Sequence, residues 1–335
     1  MFAKASPQVF PSGVAGFSAW SRAVAAHPGE NFSIQVKRVK LLLRLLLFQR
    51  HHRKVEAIFA RPSLFQIMAA NPRIVEKPYR DYLFTGTGLA ERVRMIEESY
   101  RFVEESFPPS WIRSIFVERD FTLATLDLPG TAPLAVRLHY QDRFEKEGEL
   151  TLALYDTERR LYSATFSLLA GSRRRSAIVG CLIGPETTGS SSEQDLDAIR
   201  QLTKSLHGLR PQNLVFFLLQ SLCRHLGVED LRGVSCRTHV YGGSAKKRDR
   251  IKFDYDRFWE EIGGEPAQQA GLFTLPIQHA RRPIADIRSN KRAAYQRRYA
   301  LLDDLDRQVR QALHLPMVPA RPDEQPLVKG ACAAA

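Results

Sequence analysis

From Phe121 to Ile183, apolar and polar positions alternate in short runs. Phe121 to Leu128, Ala135 to Tyr140, Leu150 to Tyr155, Leu161 to Leu169 and Ser176 to Ile183 are rich in Leu, Val, Phe, Tyr and Thr. Pro129-Gly130, Glu147-Gly148, Asp156-Thr157 and Gly171-Ser172 stand between them. Period-two alternation bounded by turn residues predicts five strands in an antiparallel meander. On either side the period lengthens to that of a helix. Val93, Ile96, Tyr100 and Val103 recur at spacings of three and four within Ala90 to Phe107, and Pro108-Pro109 ends that helix. Beyond the strands, Asp195 to Leu206 and the very apolar Pro211 to Leu226 read as helices. A strand over Leu231 to Val240 follows, then one over Phe273 to Ile277, and a charged helix from about Ile284 to Leu313.

This order predicts an α+β fold, a central and mostly antiparallel sheet flanked by helices. The expected organisation is a flexible leader over 1–33 and a helical N-terminal region over 34–120. An α/β core with its charged helix spans 121–315, and a disordered tail spans 316–335. Ser33 to Phe59 has leucines nearly all round its middle and seven Lys or Arg along it. Two readings are open: a helix resting on an anionic membrane, or a largely buried helix whose basic ends reach water. The longest apolar run, Leu41 to Phe48, contains Arg44 and is far short of the ~20 residues a membrane span needs. With no signal-peptide pattern at the start, the expected location is the cytoplasm, or peripherally on the inner membrane.

Charge narrows the partners. The 335 residues carry 49 Lys and Arg against 36 Asp and Glu, a net charge of +13. Such a balance favours an anionic ligand, an anionic membrane surface or nucleic acid. No zinc-finger spacing, RNP-like aromatic strand or helix-turn-helix reader is present, which argues against nucleic acid. The four cysteines have wide, irregular spacings, and no metal site is expected from them. P-loop, serine-elbow, H-E-x-x-H and dinucleotide glycine motifs are absent, which argues against several large enzyme classes.

Candidate chemistry concentrates at KSLHGLRPQN, residues 204–213. Gly208 permits a turn, Pro211 presets a first helical turn, and Asn213 falls where the early helical amides begin. Lys204 and Arg210 beside a helix N-terminus suit a phosphate or carboxylate, and His207 could carry a proton near neutral pH. The bland alternative is a helix–helix corner with Arg210 paired to a carboxylate. His239 and Tyr241, beside Gly242-Gly243 at a strand end, are secondary candidates. So is Glu147, whose neighbourhood of Glu145 and Glu149 reads as a solvated hairpin turn. Tyr255, Phe258 and Trp259 share one helical face and read as core.

Several phrases occur in one order from about residue 60 to residue 313: EKEGEL, LYSATFSL, VGCLIGP, LTKSLHGLRPQNLVFFLLQSL, HVY, DYDRFWEEIGG, FTLP and KRAAYQRRYALLDDL. Together they resemble the VirK/YbjX family of bacterial proteins. The resemblance implies a factor linked to virulence or to envelope and surface properties, and it carries over no catalytic residue. The surroundings of 204–213 also resemble acyl-CoA-dependent acyltransferases of the GNAT type, in which a strand leads through a glycine-containing loop into a helix and on to another strand; here the glycine triplet is reduced to Gly208, and a helix intervenes after VGCLIGP. Three readings are therefore open. They are an envelope-related factor with an anion site near His207 and Arg210, an acyltransferase using a CoA ester, and a basic protein that binds a membrane surface or nucleic acid.

Overall fold

In the computed structural model, residues 19–313 are described apart from 129–131, 158, 186–191, 244–247 and 250. The alternating runs form β1 (Phe121–Leu126), β2 (Leu134–His139), β3 (Leu150–Asp156), β4 (Arg159–Ala170) and β5 (Arg175–Ile183). Each pairs antiparallel with the next, as the alternation predicts. Three shorter strands, β6 (Asp230–Val234), β7 (Glu265–Pro266) and β8 (Leu272–Leu275), complete an eight-stranded sheet in the order β1-β2-β3-β4-β5-β6-β8-β7. The fold is α+β and the sheet is mostly antiparallel, with one exception. β6 runs parallel to β5.

That parallel pair needs a crossover, which α7 (Ser192–Ser205) and α8 (Pro211–His225) supply. α8 starts at Pro211, whose missing N–H costs nothing in a first turn. Eleven of its fifteen residues are buried, and it packs on β3 and β4. α5 (Leu89–Ser106) also packs on β4. Every residue from Arg160 through Ala170 on that strand is buried, so both of its faces are covered. At about 1.5–3 kcal/mol for each fully buried Leu or Phe, this layer is the main source of stability. α9 (Tyr255–Glu261) and the long α10 (Ser289–Ala312) close the C-terminal part. Trp259 of α9 lies against Gly233, where a Cβ would stand 2.6 Å from the indole, and its ring N–H donates to the Val234 carbonyl at 2.8 Å.

The charged helix expected from about Ile284 begins at Ser289, and two other expected elements differ more in extent. The strand expected over Leu231 to Val240 stops at Val234. There the Ser235 and Thr238 hydroxyls exchange hydrogen bonds with each other's backbone N–H, at 3.2 Å each, and roll the chain into a turn. The helix expected from Ser33 to Phe59 breaks at Phe48 into α2 (Phe32–Leu47) and α3 (Gln49–Phe59). α3 joins the main core through Val55, Ile58 and Phe59. α2 sits on a small separate cluster, with Leu41 and Leu45 against Val75 and against Ala23 and Ala26 of α1 (Ala19–Ala26). Thus α1 occupies part of the expected leader, while residues 1–18 and the expected tail lie outside the described residues.

Candidate functional site

The β5–β6 ladder is short. It runs from Ser176 opposite Asp230 to Val179 opposite Gly233, and then the strands part. Gly180 is the reason on the β5 side. Val179 pairs with Phe166 and Cys181 with Thr165, so Gly180 is an extra residue that bends the strand. The Glu147 backbone fills the space beside it, since a Cβ on Gly180 would stand 2.0 Å from the Glu147 carbonyl oxygen. Past the split, Tyr255 takes the place of a neighbouring strand. Its hydroxyl accepts from the Leu182 N–H at 3.2 Å and bonds the Leu182 carbonyl at 3.3 Å.

Between the parted strand ends lies a cavity of 770 Å³, lined by Glu147, Cys181, His239, Tyr241 and Tyr255, by Arg143, Arg160 and Lys252, and by Phe144, Ile251 and Phe253 among others. A crevice at the carboxyl ends of parallel strands is where open sheets of this kind commonly hold ligands. Its volume suits a small molecule or one end of a larger one. The mixture of an apolar wall, three cations and one buried carboxylate is chemically selective.

Glu147 is 2% exposed. Backbone N–H groups, its own and that of Lys146, bond its carboxylate, yet Oε2 has no hydrogen-bond partner among the described residues. Burial raises its pKa from 4.5 to about 7, with those backbone bonds and Lys146 opposing the shift. It can therefore take up or release a proton at neutral pH. His239 is also buried, and burial lowers its pKa to about 4, so at neutral pH the ring is uncharged. Nδ1 accepts from the Tyr241 backbone N–H at 3.3 Å. The ring proton must then sit on Nε2, which likewise has no partner among the described residues. Its plane is stacked on Tyr255, with centroids 5.2 Å apart. The cavity thus offers a proton acceptor on Glu147 and a neutral N–H donor on His239.

Cys181 also faces this space, but burial first, then the Glu147 charge, pushes its thiol up to about 12. It is a wall and a poor nucleophile. Arg160 donates to the carbonyls of Ile183 at 3.3 Å and Gly184 at 2.9 Å, fixing the end of β5.

The hairpin glutamates correct the sequence reading. Glu145, Glu147 and Glu149 are all buried, where a solvated turn was expected. Residues 73–83, far upstream in the chain, cover them together with Tyr100. Arg73 and Arg80 each reach Glu145 at 2.9 Å, and the Leu83 N–H donates to the Lys146 carbonyl at 2.7 Å. Lys77 donates to Glu149 at 2.5 Å, and the hydroxyls of Tyr82 and Tyr100 donate to the same carboxylate at 2.7 Å each. Burial, and then the charge of Glu149, hold both phenols well above their ordinary range. Glu149 is thereby structural, and Glu145 is held by two arginines through Oε1. Glu145 Oε2, like Glu147 Oε2, has no hydrogen-bond partner among the described residues, but of the three glutamates Glu147 alone lines the cavity.

Of the other candidates, His239 and Tyr241 line the cavity with Glu147, whereas Lys204, His207, Gly208, Arg210 and Asn213 do not. Lys204 and Arg210 are exposed, and Arg210 lies 3.6 Å from Glu261. His207 has a left-handed backbone (φ 55°), and its carbonyl accepts from Arg298 at 2.7 Å. Partial burial, with Arg297 and Arg298 beside it, lowers its pKa. Gly208, with φ +80°, makes the turn that a side chain would strain. Asn213 is half-buried in the first turn of α8. Sequence reasoning passed over Cys181, Arg160 and Tyr255. The available signal was Gly180 inside an apolar strand, a common mark of a bulge or a close backbone approach. Among the described residues there is no group of three or more His, Cys, Asp or Glu that could hold a metal ion, and no helix long and apolar enough to cross a membrane.

Comparison with known proteins gives this geometry a lineage. The chain is 29% identical over 287 residues to the uncharacterised YbjX protein of Escherichia coli (strain K12), covering 84% of this chain and 85% of the relative. It is 28% identical over 223 residues to an uncharacterised protein of Haemophilus influenzae, 66% of this chain and 71% of the relative. A protein of Mannheimia haemolytica titled membrane protein LapB is 24% identical over 223 residues, 64% of this chain and 90% of the relative. No solved structure matches. The family described as a protein of unknown function (DUF535) matches residues 31–311, a span that takes in every strand of the sheet and every wall of the cavity. By that match and its similarity to YbjX, the chain belongs to the DUF535 family, the VirK/YbjX family that its ordered phrases resemble.

Proposed function

We propose that this protein is an acyltransferase that takes an acyl-CoA donor and works in the biology of the bacterial envelope. One observation carries the catalytic part: Glu147, whose Oε2 has no partner among the described residues, has its backbone against Gly180, where β5 and β6 part. Glu147 would take the proton of an amine or hydroxyl acceptor as that group attacks the thioester carbonyl. The C–S bond then breaks and a C–N or C–O bond has formed. CoA leaves as the thiol, and the acceptor's proton balances the charge on sulfur. The His239 Nε2–H is the donor available to the carbonyl oxygen as it gains charge. Phe144, Ile251 and Phe253 offer the acyl chain an apolar wall, and Arg143, Arg160 and Lys252 suit the anionic remainder of the donor. The cavity volume supports entry of the thioester end and its arm, with the nucleotide outside. For the envelope part, the support is the family and a relative titled a membrane protein.

The test is thiol release from acetyl-, octanoyl- and palmitoyl-CoA with amine and hydroxyl acceptors, for the native protein and for Glu147→Gln. A general base is worth roughly 10²–10⁴ in rate, and Glu147→Gln should lose that much with little change in donor affinity. If no donor yields thiol above the buffer rate with any acceptor, the reading fails.

A further inference from the structure

Among the described residues, nothing covers the apolar outer face of α2. At 100° per residue, Leu41, Leu45 and the buried Arg38 point inward to the small cluster, and Phe32, Val39, Leu43 and Leu46 form a stripe on the opposite side. Leu43 is 52%, Leu46 59% and Leu47 76% exposed, and Phe48 at the helix end is 42% exposed. Scattered exposed leucines need no explanation, but a continuous stripe of them does.

Lys37, Lys40 and Arg44 fall together beside that stripe. With Arg73 and Arg80 they line a hollow of 530 Å³ between α2 and the segment Pro72–Tyr79. The acid in its wall, Glu76, is already engaged by His27 and Arg80. Lys37, Lys40 and Arg44 form no salt bridge among the described residues. From Phe32 to Val55 the chain holds seven Lys or Arg and no Asp or Glu.

We propose that this face docks on a bilayer containing acidic phospholipid, with the stripe of α2 among the acyl chains and a lipid phosphate in the basic hollow. Charge complementarity selects this occupant. Two copies joined stripe to stripe would bring two acid-free cationic helices together, whereas an anionic surface neutralises both the helix and the hollow. The arrangement of an apolar stripe with cations at its rim is that of a helix lying in the plane of an interface. The proposal does not depend on the acyl-transfer reading, because none of these residues lines the Glu147 cavity.

Vesicle flotation tests it, with phosphatidylcholine alone and with phosphatidylcholine mixed with phosphatidylglycerol. The native protein should float with the mixed vesicles and stay behind with the neutral ones. The triple variant Lys37→Gln, Lys40→Gln, Arg44→Gln should lower the partition coefficient roughly a hundredfold. Leu43→Ser with Leu46→Ser should lower it roughly tenfold or more. Apart from the half-buried Arg44 these side chains are exposed, and none of the three cations forms a salt bridge among the described residues, so both variants should melt like the native protein, which separates lost docking from lost folding. Inorganic phosphate should compete no better than chloride at equal ionic strength, as expected for a headgroup held together with its acyl chains. Absence of flotation with mixed vesicles, or unchanged flotation in both variants, would overturn the proposal. So would a native dimer that the leucine variant splits, with vesicle binding unaffected.

Discussion

Glu147→Gln removes a carboxyl whose ionisation the cavity opposes, so it should stabilise the fold wherever the native side chain is charged. Burial raises this pKa from 4.5 to about 7. The folded state therefore binds more protons than the unfolded state between those values, and the native protein loses stability as pH rises through that window. At 1.36 kcal/mol per pH unit the full shift amounts to about 3 kcal/mol. Linkage gives roughly 1 kcal/mol of that at pH 5 and nearly all of it at pH 8. A glutamine has no such titration. Urea unfolding of both proteins across this range should give curves that diverge by about 2.5 kcal/mol between pH 5 and pH 8, with the variant more stable at the alkaline end. The pH-independent cost of burying an amide shifts the curves without changing their divergence. Parallel curves would refute the reasoning, since they would mean that the carboxyl ionises as it does in water. Divergence combined with lost thiol release would mark a side chain retained for chemistry at a cost in stability.

Glu149→Gln should act in the opposite sense, costing about 3–5 kcal/mol in urea unfolding at neutral pH, because it leaves the buried Lys77 ammonium without its partner. Gly180→Ala should cost about 1–3 kcal/mol and depress thiol release, because its Cβ would displace the Glu147 backbone. Cys181 should resist iodoacetamide at pH 8 in the folded protein, about a thousandfold slower than an ordinary thiol, and react at once in urea. Peptide mapping by mass reads that difference directly.

The five-strand meander and the faces of α5 and α8 were legible because they rest on local periodicity. Ser163, Thr165 and Ser167 alternate with Ala164, Phe166 and Leu168 whatever lies above them. The core role of Tyr255, Phe258 and Trp259 was legible for the same reason, and all three are buried. What local pattern does not carry is the partner across the fold. Glu145, Glu147 and Glu149 read as a wet turn because Arg73, Lys77, Arg80 and Tyr82, which bury two of them, lie 65 or more residues earlier. The parallel docking of β6 on β5 likewise needs the length of the α7–α8 crossover, and the split beyond it follows from that docking. His239 and Tyr241 could be named from the end of an expected strand, although β6 ends at Val234 and the two lie in the turns that follow it. That they face Glu147 could not, because Gly180 brings the glutamate to β5 through a single backbone contact. KSLHGLRPQN stands out in the sequence for its turn chemistry, which the structure explains by the left-handed His207 and Gly208 that join α7 to α8.

The central claim is that the cavity at the β5–β6 split receives an acyl-CoA. Amide hydrogen exchange with and without palmitoyl-CoA at millimolar concentration tests it most directly. The account predicts slowed exchange at residues 181–185, 239–241 and 251–255, with the native pattern restored when the ligand is removed. Unchanged exchange there with every acyl-CoA, or protection confined to residues 204–213, would contradict it.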